Sequence, residues 1–434
     1  MNMEIMDHPR LKETVHRIQL GSGLEVLVIP KPEFSEKYGA LSTRFGSVDN
    51  RFRLSSEEQE QSIPDGMAHF LEHTLFEKKD GNISERFSER GAYHNAYTSH
   101  ISTAYHFSCS RRFEENLHTL MELVFCPYFT EAMVNKEKGI INQEISMYDD
   151  LPQWQVYQNL LAGLYHQHPV RINIAGSHQA IAGITPEILT NCHRLFYQPQ
   201  NMVLAAAGDI DPEKTAKTAE NWLKEHGIKQ RLQIQRIYPK EPSSILRREV
   251  KATLPVPRPL VLIGFKESDP PANGEEMIKR EVMYDLVLEG LFGKGSDFFE
   301  DLYTRGIISA PVDTEYSGYF HYGLAMVGTE TDDPGAFIDQ VEKTLSKAKQ
   351  EGLPVDVFKA AKRKFLGGFI LAHDHLDRLA QAHISAYHRD GLFFDYERCL
   401  DNMTVEAIDE WITTCFLEEQ KALSIVEPVK AKRK

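Results

Sequence analysis

The segment His69-Phe70-Leu71-Glu72-His73 holds two imidazoles and a carboxylate at a spacing that suits metal-assisted hydrolysis. On a helix, residues four apart share a face with Cβ atoms about 5–6 Å from each other, so both rings can meet one ion. Glu72 stands beside them, placed to hold a water and take its proton. At about 100° per residue, Met67, Phe70, Leu71 and Leu75 fall on one arc, and His69, Glu72, His73 and Phe76 on the opposite one. No Lys, Arg or Asp occurs between Gly66 and Phe76, so the pattern predicts a helix covered on both sides. Three ionisable groups in such a place are costly unless they are paired or bound to a cation. The chain has 18 His, enough for this pattern to arise by chance, so the reading needs a third ligand from another element. A catalytic zinc keeps three protein ligands and one open position, and His₂Glu is one such set.

A helix expected over Glu131–Asp149 offers two carboxylates, Glu137 and Glu144. They lie seven residues apart and so on one face, with Ile141 between them. That stripe runs along the apolar side with Ile140 and Ile145, an odd place for a solvated carboxylate.

HxxEH followed about 70 residues later by ExxxxxxE resembles the pitrilysin/insulinase family of zinc peptidases, the inverzincins. Gly66–Phe76 (GMAHFLEHTLF), Asn95–Thr98 (NAYT), Glu137–Glu144 (EKGIINQE) and Phe196–Gly208 (FYQPQNMVLAAAG) look like family segments in the family's order. The length resembles the two-domain, processing-peptidase-like branch. The resemblance implies a zinc metalloendopeptidase with one Zn²⁺ per chain, held by His69, His73 and Glu144. Glu72 would be the general base that activates a zinc-bound water for peptide hydrolysis, and Glu137 a carboxylate supporting the ligands from behind. Asn95 and Ala96 would lie on an edge strand that pairs with the substrate backbone. Family members also carry an Arg and a Tyr in the second domain that hold the substrate. Here Tyr303 stands where the Arg would be and Ser309 where the Tyr would be, with Tyr316 and Tyr319 close downstream as possible stand-ins. The chain therefore looks like the zinc-bearing subunit of a bacterial pair, whose homologous partner supplies the Arg and Tyr; a homodimer is the other arrangement. The alternative function is a non-catalytic or conditionally active peptide-binding scaffold within a heteromeric peptidase.

The elements that must position these residues can be read in outline. A strand is expected at Leu24–Ile29, helices at Gly66–Glu77 and Ser84–Arg90, a strand pair over Ala92–Cys109 and a helix at Arg112–Phe125. A strand then follows at Asn201–Gly208 and a helix at Asp211–Lys224. Residues 226–245 lose apolar periodicity and hold Tyr238-Pro239-Lys240-Glu241-Pro242, after which the order of elements restarts. Leu260–Phe265 and Gly318–Val327 read as strands, and Glu276–Phe292, Pro334–Lys349 and Pro354–Tyr387 as helical. Glu72–Gly91 and Leu288–Gly306 each have Leu-Phe, a glycine turn, a helical piece and a closing Arg-Gly. In that alignment Asp285, Leu288 and Glu289 fall opposite His69, Glu72 and His73, so the second copy has no metal set. The expectation is an α+β protein of two homologous domains, each a mainly antiparallel sheet packed with helices, together forming a clam-shell-like half chamber. The first, residues 1–230, would bind zinc; residues 231–245 would be a linker; residues 246–434 would be the degenerate copy.

Composition narrows the function classes. The chain has 434 residues, of which 49 are Lys or Arg and 63 Asp or Glu, a net charge of −14. That is a poor footprint for nucleic acid, which calls for a basic face. No stretch approaches the roughly 20 apolar residues that cross a bilayer, so membrane insertion is not expected. Five scattered cysteines without a CxxC suggest inert, reduced thiols, and with the polar opening segment they point to the cytoplasm. The terminal run Lys430–Lys434 reads as a solvated tail.

Overall fold

The computed structural model describes residues 2–54, 59–228, 232–271 and 273–429; the basic tail at 430–434 lies outside them. Two compact units emerge, neither of them contiguous in sequence. The first comprises Met1–Ile145, Asn173–Ile237 and Ile370–His388; the second comprises Ser146–Ile172, Tyr238–Phe369 and Arg389–Lys434.

The first unit is built on a seven-stranded sheet. Its strands are β1 (Asn2–His8), β2 (Glu13–Gln19), β3 (Glu25–Pro30), β4 (Lys37–Thr43), β5 (Tyr93–Thr98), β6 (Thr103–Cys109) and β7 (Met202–Gly208). Their spatial order is β1-β2-β3-β7-β4-β6-β5, with β7 parallel to β3 and antiparallel to β4. Helices α1 (Met67–Thr74), α2 (Ser84–Glu89), α3 (Phe113–Phe125) and α4 (Glu131–Asp149) follow one another along the chain. The core under them is aromatic and aliphatic, with Phe45, Phe70, Phe87, Phe107 and Phe196 almost fully buried.

The second unit carries a five-stranded sheet made from β8 (Glu249–Leu254), β9 (Leu260–Lys266), β10 (Asp313–Tyr319), β11 (Tyr322–Glu330) and β12 (Lys421–Pro428). The order is β8-β12-β9-β11-β10, with β8 and β12 parallel and the remaining pairs antiparallel. This repeats β3-β7-β4-β6-β5 strand for strand, including the single parallel pair, so the α+β duplication seen in the sequence is a duplication of topology. Helices α6 (Gly274–Phe292), α7 (Asp297–Thr304), α8 (Pro334–Glu351) and α9 (Val355–Ala372) complete the copy.

Two further helices depart from a contiguous division at 230 and 246. Helix α5 (Pro152–Leu164) comes from the first half of the sequence but packs on β9 and β12 of the second unit. Gly264 makes this approach possible, because a Cβ there would fall 2.7 Å from Leu160 Cδ2. Helix α10 (Leu376–His388) comes from the second half and packs on β4 and β7 of the first unit. There Ser42 Oγ meets His388 Nε2 at 2.8 Å, and Gln381 Nε2 donates to the Tyr38 hydroxyl at 2.7 Å. The covered strands β4/β7 and β9/β12 are equivalent, so each copy of the fold takes its covering helix from the other half of the sequence.

Three local expectations change. The single strand expected at Gly318–Val327 is a hairpin that turns at Phe320 and His321. The helical region Pro354–Tyr387 breaks at His373–His375 into α9 and α10. The segment expected as a linker is pinned over much of its length. Ile234–Arg236 pairs with Arg51–Leu54. Glu241 accepts the Lys266 ammonium at 2.6 Å together with the backbone N–H groups of His166, Gln167 and His168.

Candidate metal centre

Helix α1 begins at a tight backbone crossing. Gly66 precedes it with φ 84°, and a Cβ there would lie 2.4 Å from the Ala175 carbonyl oxygen. Only glycine meets both demands. The short helix then sinks into the core through Met67, Phe70 and Leu71, which fixes the direction of its opposite face. His69 and His73 share that face, with ring centroids 4.5 Å apart.

Helix α4 brings both of its candidate carboxylates to this place. Glu144 lies with its oxygens 3.7 Å from His69 Nε2 and 3.5 Å from His73 Nε2. One ligand atom from each of His69, His73 and Glu144 lies within 4.8 Å of the others, the one such group of three among the described residues. Glu137, buried one face-repeat earlier, accepts from His73 Nδ1 at 2.8 Å. That bond places the His73 proton on Nδ1 and turns the Nε2 lone pair toward Glu144.

The donor set fits a cation. Burial holds the His69 imidazole neutral down to about 3, helped by the neighbouring His73 ring, and a neutral ring is the form that ligates. At 3.5–3.7 Å, two imidazole nitrogens and a carboxylate converge at the separations that ligands of one ion have. Burial alone would push His73 down, but the Glu137 hydrogen bond and the nearby carboxylates of Glu72, Glu137 and Glu144 leave it raised.

Glu72 sits between the histidines on α1. Desolvation lifts its carboxyl above the ordinary range against the opposing effect of one hydrogen bond, from Thr98 Oγ1 to Glu72 Oε2 at 2.7 Å. The sequence alone does not mark Thr98 as a functional residue. It closes the NAYT segment, and only the folded contact between β5 and α1 reveals its partner.

Asn95 and Ala96 lie on β5, which ends the sheet order and, among the described residues, pairs only with β6. Tyr93, Asn95 and Tyr97 are exposed on one side, while His94, Ala96 and Thr98 are half-buried on the other. His94 stacks on Phe87 with centroids 5.1 Å apart. Asn95 Oδ1 accepts its neighbour's N–H from Ala96 at 2.9 Å.

The second unit brings no comparable set together. Leu288 is core, Glu289 pairs with Lys364 at 2.6 Å, and Asp285 is half-buried near Glu281 and Glu315. Tyr303 stands exposed near the end of α7, its ring on Phe299. Ser309 receives Arg258 Nη2 at 3.1 Å. All five cysteines are unpaired, three of them buried.

Residues 56–178 match the family model described as Insulinase (Peptidase family M16), and residues 183–365 match the one described as Peptidase M16 inactive domain. A protein of Bacillus subtilis (strain 168) named "Uncharacterized zinc protease YmfH" is 37% identical over 408 residues, covering 94% of this chain and 95% of that protein. The crystal structure of a putative M16-like peptidase from Alicyclobacillus acidocaldarius superposes with a TM-score of 0.92 at 31% identity, covering 99% of each chain. A protease from Helicobacter pylori shares the fold, with a TM-score of 0.82 at 18% identity over 95% of this chain and 99% of that one. With both family models in register and a relative alike over nearly its whole length, this chain belongs to the insulinase family of peptidases, family M16.

Proposed function

We propose that the chain is a zinc-dependent endopeptidase that hydrolyses peptides or unfolded segments, with Glu72 as the general base. The observation that carries this reading is the convergence of His69, His73 and Glu144 within 4.8 Å, with the Glu72 carboxylate on the same helical face. His69, His73 and Glu144 would hold one zinc ion. When bound, the ion supplies Lewis acidity, lowering the pKa of a water and polarising a carbonyl oxygen.

The chain's own groups do the rest. Burial keeps His69 neutral, and Glu137 orients His73 through Nδ1. Glu72 takes a proton from the attacking water and returns it to the leaving amine. Asn95 and Ala96 offer the free edge of β5 to an extended peptide. A substrate carbonyl arriving there replaces Asn95 Oδ1 at the Ala96 N–H. Among the described residues no helix is long and apolar enough to cross a membrane, and a cytoplasmic site of action suits five unpaired thiols.

A second reading draws on Tyr303 and Ser309. With these residues in place of the family's Arg and Tyr, the chain works with a homologous partner that supplies them, or serves as the peptide-binding scaffold of such a pair. Zinc analysis and cleavage of a quenched peptide, with and without chelator, test the proposal. Glu72→Gln should retain one zinc per chain and lose turnover by at least about 100-fold. Undiminished cleavage by the zinc-loaded variant would remove Glu72 from the mechanism. Stoichiometric zinc in the wild type without any cleavage, even beside a homologous chain carrying the Arg and Tyr, would favour the scaffold.

A further inference from the structure

We propose that Thr98 is the positioning residue of the base: its hydroxyl, carried on the edge strand β5, holds the Glu72 carboxylate in the orientation that proton transfer requires. The inference rests on the peptidase reading and deepens it. A glutamate side chain has three rotatable bonds, and Glu72 must keep one oxygen aimed at a water beside His69 and His73. Among the described residues, the Thr98 hydroxyl is the one hydrogen-bond donor to that carboxylate, at 2.7 Å to Oε2, which leaves Oε1 for the reacting proton.

The donor is itself fixed. Threonine is β-branched and restricted about χ1. The nearest competing acceptor, Thr103 Oγ1, is 3.4 Å away and has donated its own proton to the Phe45 carbonyl at 2.9 Å. Thr98 therefore spends its single proton on Glu72. The turn that follows it is tied down on two sides. Ser99 N–H bonds the Ser102 carbonyl at 2.8 Å, while the carbonyls of Ser99 and His100 accept from Ser47 and Val48, each at 3.1 Å. Gly46 lets that loop in, because a Cβ there would fall 2.3 Å from the His100 backbone.

The strand that presents its edge to an extended peptide thus also carries, on its inner side, the group that orients the base. Pairing at Asn95 and Ala96 and placement of Glu72 become properties of one strand. A shift of β5 would be felt at the carboxylate through a single bond.

The test uses the full chain loaded with zinc and three variants: Thr98→Ala, Thr98→Val and Thr98→Ser. Zinc content, KM and kcat on a quenched peptide are measured for each, and the Glu72 side chain is located in crystal structures. Thr98→Ala and Thr98→Val should keep one zinc and a KM within about twofold of wild type while losing about 10- to 100-fold in kcat. Thr98→Ser should return kcat to within about threefold, and Glu72 should leave its orientation in the Ala and Val variants but keep it in the Ser variant. A kcat within about threefold for Thr98→Ala, with Glu72 unmoved, overturns the proposal. So does a parallel loss of zinc and KM, the signature of a merely structural role. If wild type cleaves no peptide yet Glu72 still follows the Thr98 hydroxyl, the peptidase reading fails and the positioning stands.

Discussion

Asp285 offers a quantitative test of how the second copy has departed from the first. It occupies the place opposite His69 in the duplicated alignment, on α6, with Glu281 one turn before it and Glu315 on β10 nearby. Burial, with those two carboxylates adding to it, lifts its carboxyl from the ordinary 3.8 to about 7. Among the described residues it has no hydrogen bond or ion pair to offset this. An acid whose folded-state pKa is raised binds more protons folded than unfolded, so its contribution to stability is complete below about pH 4 and falls away as pH rises toward 7. A lift of roughly three pH units corresponds to a ceiling of about 4 kcal/mol. Relaxation and partial exposure of the carboxylate bring the expected effect to about 2–4 kcal/mol. Asp285→Asn removes the titration at constant shape. Urea unfolding followed by the fluorescence of Trp154 and Trp411, both in the second unit, should show the variant more stable by that amount at pH 8. The gap should narrow through pH 6 and vanish near pH 4. Wild-type and variant curves that run parallel from pH 4 to 8 would refute the reasoning.

Other perturbations probe the first unit. Glu137→Gln takes the charge from the acceptor of His73 Nδ1 and should weaken zinc binding about 10- to 100-fold without removing a ligand, as read by competition with a chromophoric chelator. Gly66→Ala forces a Cβ against the Ala175 carbonyl at positive φ and should cost about 2–3 kcal/mol of stability, visible as a lowered melting temperature with reduced zinc retention. Lys78 Nζ donates to the carbonyls of Glu122, Leu123 and Cys126 at the end of α3. Lys78→Met should therefore lower unfolding free energy by about 1–3 kcal/mol while leaving zinc stoichiometry unchanged; an unaltered denaturation midpoint would count against that capping role.

The parts of the fold legible in the sequence are those with strong local signals. Helix α4 runs from Glu131 to Asp149 as its periodicity predicts, and the hairpin of β5 and β6 follows from alternation across Tyr105, Phe107 and Cys109. Helical spacing alone aligns His69 with His73 and Glu137 with Glu144; that Glu144 rather than Glu137 joins the histidines is what the family resemblance implies. Features that depend on partners distant in sequence were not legible. The Phe320–His321 turn has no Gly or Asn to mark it, and the break before α10 has no Pro. Nothing in the local pattern of Pro152–Leu164 or Leu376–His388 says which sheet each helix covers. Thr98 belongs with these, since its meaning lies entirely in a side chain 26 residues earlier in the chain.

The crossed assignment of α5 and α10 has a consequence for synthesis. The last strand of the first sheet, β7, is complete at Gly208, yet the helix that covers it ends at His388. At about 5–20 residues per second, a ribosome needs on the order of 10–40 s to span that interval. During this time the central strands β4 and β7 are finished but bare on the face that α10 will cover. For a nascent chain this is a window of vulnerability to chaperones, proteases and other copies of itself. It closes only once the message has been read through His388.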